Sequence, residues 1–403
     1  MDVEFAGTGG PQGWPQPGCG CASCALARRS GAVRAPAEIV LDGIVRISFP
    51  AGPGNLLTAP AGYLAAQVTG GLEVTAPDGS RLLCAAGPGA APIPAAGAAP
   101  YDAIFLDLLG DPSQLGGLRR QGLMTDKTIV AVIHVDHRLR STRELVRRCR
   151  LWGVIAAADG DHLAVRSREP PDWRGGPRAR PERDPRGRRE GRGGWPAQDV
   201  LGERAMQSAS GARHLLAAPA RPRPWRALVL GGARSGKSAE AELRLAAEPE
   251  VTYVAAAGPA PGADAEWAAR VAAHQARRPR WWRTVETTDV ASVLRASEGA
   301  VLIDSIGSWL AAVLDQVGTW CHQPGDPQVA SRLAARITEL AGAWRDTRCH
   351  VVAVSEEAGW GVVPGTESGR IFRDELGSLN QLLAAQSEEA VLVVAGRALS
   401  LPG

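Results

Sequence analysis

The sequence predicts an α/β protein with two unlike parts: a C-terminal domain built on a mostly parallel sheet covered by helices, and a smaller, β-rich αβ domain before it. Three observations predict this. After Arg226, short uncharged apolar runs alternate with amphipathic stretches, the rhythm of βαβ units whose sheet is covered on both faces. Before Arg166, short strand-like segments are separated by Gly/Pro turns. Between them, residues 166–224 hold Pro, Gly and Arg at a density that buries no core. That stretch is expected to be a disordered basic linker, a solvating tether between domains 1–165 and 225–403.

In the first domain "AEIVLDGIVRISF", "GLEVTAPDGSRLLCAAG", "YDAIFLDLLG" and "TIVAVIHVDH" read as strands, and "STRELVRRCRLWG" as an amphipathic helix. In the second, "ALVL", "VTYVAA", "AVLID", "HVVAVS" and "AVLVVAG" read as strands. The helices between them are "SAEAELRLAAE", "DAEWAARVAAHQARR", "DPQVASRLAARITELAGAWRD" and "GRIFRDELGSLNQLLAAQ".

Bulk properties narrow the function. The 403 residues exceed one average core. A formal charge of +3 argues against a dedicated nucleic-acid binder. No run approaches the roughly 18 apolar residues of a membrane span, and "MDVEFAGTGG" lacks the basic-then-apolar order of a signal peptide. Seven cysteines cannot all pair. A cytoplasmic protein, its thiols free or metal-bound, is the expectation.

Only two of the 45 Lys+Arg residues are lysines, Lys127 and Lys237, and Lys237 lies in "GGARSGKS". This stretch, Gly231, Gly232, Ala233, Arg234, Ser235, Gly236, Lys237 and Ser238, satisfies G-x-x-x-x-G-K-[ST] between an apolar strand and a helix, the context of a P-loop. Glycines let backbone N–H groups turn around phosphate oxygens, and the helix N-terminus adds positive potential. A compact ammonium suits that cradle better than a forked guanidinium. Ser238 would hold Mg²⁺ through its hydroxyl, with Asp304, at the end of "AVLID", as the companion acid.

The order "RALVLGGARSGKSAEAE", "VTYVAAA", "AARVAAHQARRPRWWRTVE", "VLIDSIGSWL", "VSEEAGWGVVPGTESGRIFRDELGSLNQLLA" and "EAVLVVAG" resembles the bifunctional adenosylcobinamide kinase / adenosylcobinamide-phosphate guanylyltransferases over residues 226–400. The resemblance implies phosphorylation of adenosylcobinamide by ATP or GTP with Mg²⁺. It then implies transfer of GMP from GTP, through a histidine-bound GMP, onto adenosylcobinamide phosphate. Carried over by position, the GMP-carrying histidine is His274. Nucleotide contacts fall on the loop, on Ala256, Ala257 and Gly258, on Gln275, Ala276, Arg277 and Arg278, and on Glu286 and Asp304. Ala256 and Ala257 stand where hydroxyl residues are common, Asp304 where Glu is common, and Ser355-Glu356-Glu357 where Thr-Asn-Glu is usual. The family's toroidal assembly makes a homo-oligomer the expectation, one that an N-terminal extension could block or remodel.

Physical reasoning supports His274 independently. Arg270 lies one helical turn before it, and Arg277 and Arg278 about one turn after. Nearby cations disfavour imidazolium, keeping the ring neutral and nucleophilic. They can also take up charge growing on phosphoryl oxygens. The residues alone leave two rivals open: a P-loop small-molecule kinase without nucleotidyl transfer, and a nucleotide-switched binding module.

In the N-terminal domain, "GTGGPQGWPQPGCGCASCA" places Cys19, Cys21 and Cys24 in C-x-C-x-x-C, a thiolate cluster short of one ligand for tetrahedral zinc. The stretch resembles a metallo-β-lactamase-fold branch that includes the pyrroloquinoline-quinone accessory hydrolase-like proteins. That resemblance implies a structural Zn²⁺ completed by His134 of "VIHVDHRLR". The branch's catalytic H-x-H-x-D-H cluster is replaced by "DLLGDP" (107–112), so a degenerate domain is expected.

Overall fold

The computed structural model describes residues 1–49, 62–85, 87–94, 97–167, 224–257, 278–320 and 326–402. Most of the expected linker therefore lies outside the described residues.

The N-terminal part contains β1 (Asp2–Gly7), α1 (Ala22–Ser30), β2 (Glu38–Leu41), β3 (Val45–Ser48), β4 (Leu64–Val68), β5 (Gly71–Thr75), β6 (Arg81–Ala85), β7 (Ala103–Leu106), α2 (Gln114–Arg120), β8 (Ile129–Val132), α3 (Thr142–Trp152) and β9 (His162–Ala164). Strands β3-β2-β1-β9 form an antiparallel sheet. Strands β4-β5-β6-β7-β8 form a mixed one, parallel from β6 onward. Period-two alternation assigns the faces. Leu82, Cys84, Ala103 and Phe105 join Phe5, Ile39 and Ile47 in a core between the sheets. Leu83, Ile104 and Leu106 point the other way, onto Leu115 of α2 and Leu145 and Trp152 of α3. The turn Asp42-Gly43, with φ 48° and 69°, closes the β2–β3 hairpin where the sequence offers Asp-Gly.

The C-terminal part contains β10 (Trp225–Gly231), α4 (Lys237–Leu245), β11 (Val251–Ala255), β12 (Arg283–Glu286), α5 (Val290–Ala296), β13 (Ala300–Asp304), α6 (Ile306–Gln316), α7 (Pro327–Asp346), β14 (His350–Glu356), α8 (Glu367–Ala384), β15 (Glu389–Val394) and β16 (Arg397–Leu401). Its sheet runs β12-β11-β13-β14-β10-β15-β16, parallel except for the antiparallel edge strand β16. Both faces are covered, so the inner strands are apolar throughout. Leu228 and Leu230 of β10 face the cluster with Trp309, Trp344 and Leu376, whereas Ala227 and Val229 face Ala241 and Leu245 of α4.

The two parts touch. Ala247, just past α4, is buried in the N-terminal core cluster beside Trp152.

Candidate active site

Strand register gathers the site at one edge of the large sheet. Gly231 pairs with Glu356, and Ala255 pairs with both Glu286 and Asp304, so five strands end side by side. Carboxyl ends of parallel strands are where such sheets bind ligands. Gly231 leads into the loop and Lys237 opens α4. A Cβ on Gly231 would lie 2.5 Å from Ser235 Oγ and 2.7 Å from the Val393 carbonyl oxygen, so no side chain fits there. Gly236 holds φ 98°, a left-handed conformation that glycine adopts without strain. Lys237 Nζ donates to the Gly232 carbonyl at 3.4 Å and lies 3.5 Å from Glu356 Oε1. The ammonium thus stands over the loop.

Glu356 was not assigned a role by the sequence reading. It ends the central strand beside the P-loop strand, and Ser305 Oγ donates to its Oε2 at 3.2 Å. Asn380 holds its backbone, donating to the Glu356 carbonyl at 3.0 Å. The available signal was positional: an acid closing the apolar run of a strand that pairs with β10. Tyr253 was missed for the opposite reason, because it reads as core. Its hydroxyl donates to Asp304 Oδ2 at 2.5 Å, and the Arg278 guanidinium carbon stands 3.5 Å from its ring centroid. Burial first, and then the Asp304 charge, raise the Tyr253 phenol well above its usual value.

Of the expected contacts, the loop residues, Ser238, Ala256, Ala257, Arg278, Glu286 and Asp304 are described, and Ala256 N–H donates to the Asp304 carbonyl at 3.4 Å. Gly258, His274, Gln275, Ala276 and Arg277 lie outside the described residues. His350 begins β14, far from its Glu356 end, and its Nδ1 lies 2.8 Å from Glu248 Oε1. A cleft of about 400 Å³ lined by Arg119, Glu248, Glu250 and Ala300 is also at that opposite end and lies apart from the phosphate loop. For Mg²⁺ the donors fit by type: Ser238 and Asp304 supply the hard oxygens such a cation takes.

The N-terminal cysteines converge, with one correction. The histidine beside Cys19, Cys21 and Cys24 is His137, and the four ligand atoms lie within 4.8 Å of one another. Cys19 Sγ is 3.5 Å from His137 Nδ1. His134, expected there, is fully buried, its ring 5.2 Å from Phe49. Its φ of 59° turns the chain after β8, leaving the exposed His137 on the cysteine side. Three thiols and an imidazole are the donor set of a structural zinc site. Hydrogen bonding from the Cys24 N–H lowers the Cys21 thiol pKa, while burial raises that of Cys24.

Burial pushes the His134 pKa down to about 4 from 6.5. The folded state therefore keeps this ring neutral while the unfolded chain protonates it below about pH 6.5, so stability falls as pH drops from there towards 4. At about 1.36 kcal/mol per pH unit the loss is on the order of 3 kcal/mol. Urea unfolding at pH 7.5 and pH 5 should show a smaller acid loss for His134→Leu than for wild type; equal losses would contradict this.

The fold and loop define a P-loop nucleotide-binding protein. A family model described as cobinamide kinase / cobinamide phosphate guanyltransferase matches residues 227–401. The bifunctional adenosylcobalamin biosynthesis protein CobP of Pseudomonas aeruginosa is 40% identical over 184 residues, 44% of this chain and 98% of its own length. CobU of Salmonella typhimurium, under the same description, is 35% identical over 179 residues, 42% of this chain and 95% of its own. The chain belongs to this cobinamide kinase / cobinamide phosphate guanyltransferase family. A structure titled Zn(2+)-bound PqqB from Methylobacterium extorquens covers 41% of this chain and 100% of its own at 16% identity, but its TM-score of 0.29 supports no conclusion about fold. No described helix is long and apolar enough to cross a membrane.

Proposed function

We propose that the chain catalyses two successive steps on a corrinoid: phosphorylation of the adenosylcobinamide hydroxyl by ATP or GTP, then transfer of GMP from GTP to adenosylcobinamide phosphate. The observation that carries this reading is the family match across nearly the full length of its relatives, superimposed on an intact phosphate loop. In the first step the hydroxyl oxygen loses its proton to solvent and bonds to the γ-phosphorus, and the bond to the β-bridging oxygen breaks to release ADP or GDP. Lys237 and the loop N–H groups stabilise charge on the transferring oxygens. Mg²⁺, held by Ser238 and Asp304, would neutralise charge on the phosphates. In the second step His274 attacks the α-phosphorus, pyrophosphate leaves, and the corrinoid phosphate displaces the histidine from GMP. Arg278 stands against Tyr253, whose hydroxyl donates to Asp304, and we assign it to take up part of that charge.

GTP labelled at the γ- or α-phosphate tests the assignment. The γ-label should move to the corrinoid directly, and the α-label first to protein and then to the corrinoid. An α-label that never becomes protein-bound would refute the histidine route.

We also propose that Cys19, Cys21, Cys24 and His137 hold one structural Zn²⁺, in a protein acting in the cytoplasm. Purified protein should contain about one zinc per chain, and Cys21→Ser should lose it. Structural zinc supplies roughly 10–16 kcal/mol in small zinc peptides, so the variant's N-terminal part should unfold at markedly lower urea. Metal analysis finding no zinc in wild-type protein would reject the site.

A further inference from the structure

Residues of the N-terminal part grip the phosphate loop and its helix from outside. Arg140 Nη1 donates to the Gly396 carbonyl at 3.0 Å, and Gly396 N–H donates to the Ser235 carbonyl inside the loop at 2.7 Å. Ala395 and Gly396 form the β15–β16 turn, with φ 49° and 69°. That turn is wedged: a Cβ on Gly236 would lie 3.3 Å from Gly396 Cα, and a Cβ on Gly396 would lie 3.3 Å from Arg140 Nη2. Only one residue, Gly396, separates Arg140 from the phosphate cradle.

The same contact continues along α4. Arg147 of α3 pairs with both oxygens of Glu240, at 2.6 and 3.0 Å. Glu240 is 8% exposed and also pairs with Arg244, which pairs in turn with Glu389 of β15. Trp152 Nε1 donates to the Leu243 carbonyl at 3.0 Å. Past the helix end, a Cβ on Gly116 would lie 2.5 Å from the Glu248 carbonyl oxygen, so α2 is packed there without room for a side chain. Glu240 and Arg244 are buried while Arg147 and Glu389 are partly exposed, so removing Arg147 takes one partner from a buried carboxylate.

We infer that the N-terminal domain is a working part of the nucleotide site, with Arg140 and Arg147 as positioning residues that hold the loop and α4 in the phosphate-binding arrangement. The inference rests on the nucleotide-binding reading of the loop but not on the corrinoid chemistry. Coupling is reciprocal, so bound nucleotide must also tighten α3.

The test is a titration of the full-length protein with Mg²⁺ and α,β-methylene-GTP, which cannot lose pyrophosphate to a histidine, without corrinoid. Contacts remote from a ligand shift coupling by roughly two- to thirtyfold. Arg140→Ala should therefore raise Kd about fivefold and Arg147→Glu about tenfold, with Arg140→Lys close to wild type because it still carries a donor. Hydrogen exchange at residues 142–152 should slow when this analogue binds wild-type protein and not when it binds Arg140→Ala. Arg140 is exposed, so its loss leaves the fold intact, which circular dichroism checks. Wild-type Kd in Arg140→Ala, or exchange at 142–152 indifferent to the analogue in wild-type protein, overturns the inference. In a separate incubation with adenosylcobinamide, nucleotide binding without any corrinoid product would instead overturn the proposed reaction and leave this coupling standing.

Discussion

Lys237→Arg should lower both half-reactions by two orders of magnitude or more. Lys237 is the first residue of α4, its side chain only 12% exposed between the Gly232 carbonyl and Glu356. A guanidinium is wider, and its fork matches the Glu356 carboxylate, so the substituted side chain would pair there instead of reaching across the phosphates. Losing one preorganised charge donor in a transition state costs about 10²–10³ in rate. In the proposed reaction both steps draw on a triphosphate at the same loop, so single-turnover rates of γ-transfer and GMP loading should fall together. Near-wild-type rates in either step would mean that the loop does not cradle that step's nucleotide.

His274→Ala should separate the two steps. Phosphorylating a hydroxyl needs no enzyme-bound GMP, so adenosylcobinamide should still become its phosphate. No covalent GMP should form, and no adenosylcobinamide-GDP. The wild-type adduct should be a phosphoramidate, stable in base and labile in acid, which separates it from phosphate esters of serine or threonine. Retention of α-label by the His274→Ala protein would move the nucleophile elsewhere. His350 is then a poor substitute, paired with Glu248 at the wrong end of β14.

What the sequence made legible follows the strength of local signals. Five inner strands of the large sheet were readable because a strand buried on both faces is an unbroken apolar run, as in "AVLID" and "HVVAVS". The edge strands β12 and β16 were not, because "RTVE" and "RALSL" are largely exposed and carry no such run. In the N-terminal part the β2–β3 and β5–β6 hairpins, with Asp-Gly at their turns, fall inside segments that read as strands, while β4 is largely exposed and β1, α1 and α2 are short and give weak periodicity. The phosphate loop was legible as a contiguous motif. Glu356 and Tyr253 were not, since their place depends on strand order and register that no local stretch encodes. The expectation of His134 as the fourth ligand fails on a backbone detail, a left-handed residue after β8 that buries its ring and leaves His137 exposed. The expected tether between domains gave no hint of the Arg147–Glu240 and Arg140–Gly396 contacts, which join residues 93 and 256 positions apart.

The most direct test of the central claim is to incubate wild-type protein with adenosylcobinamide, GTP and Mg²⁺ and to resolve the corrinoids by mass over time. Adenosylcobinamide phosphate should rise first and then decline as adenosylcobinamide-GDP accumulates, with pyrophosphate released in step with the second product. GTP consumption that leaves adenosylcobinamide unchanged, or a reaction that stops at the phosphate, would contradict the bifunctional assignment.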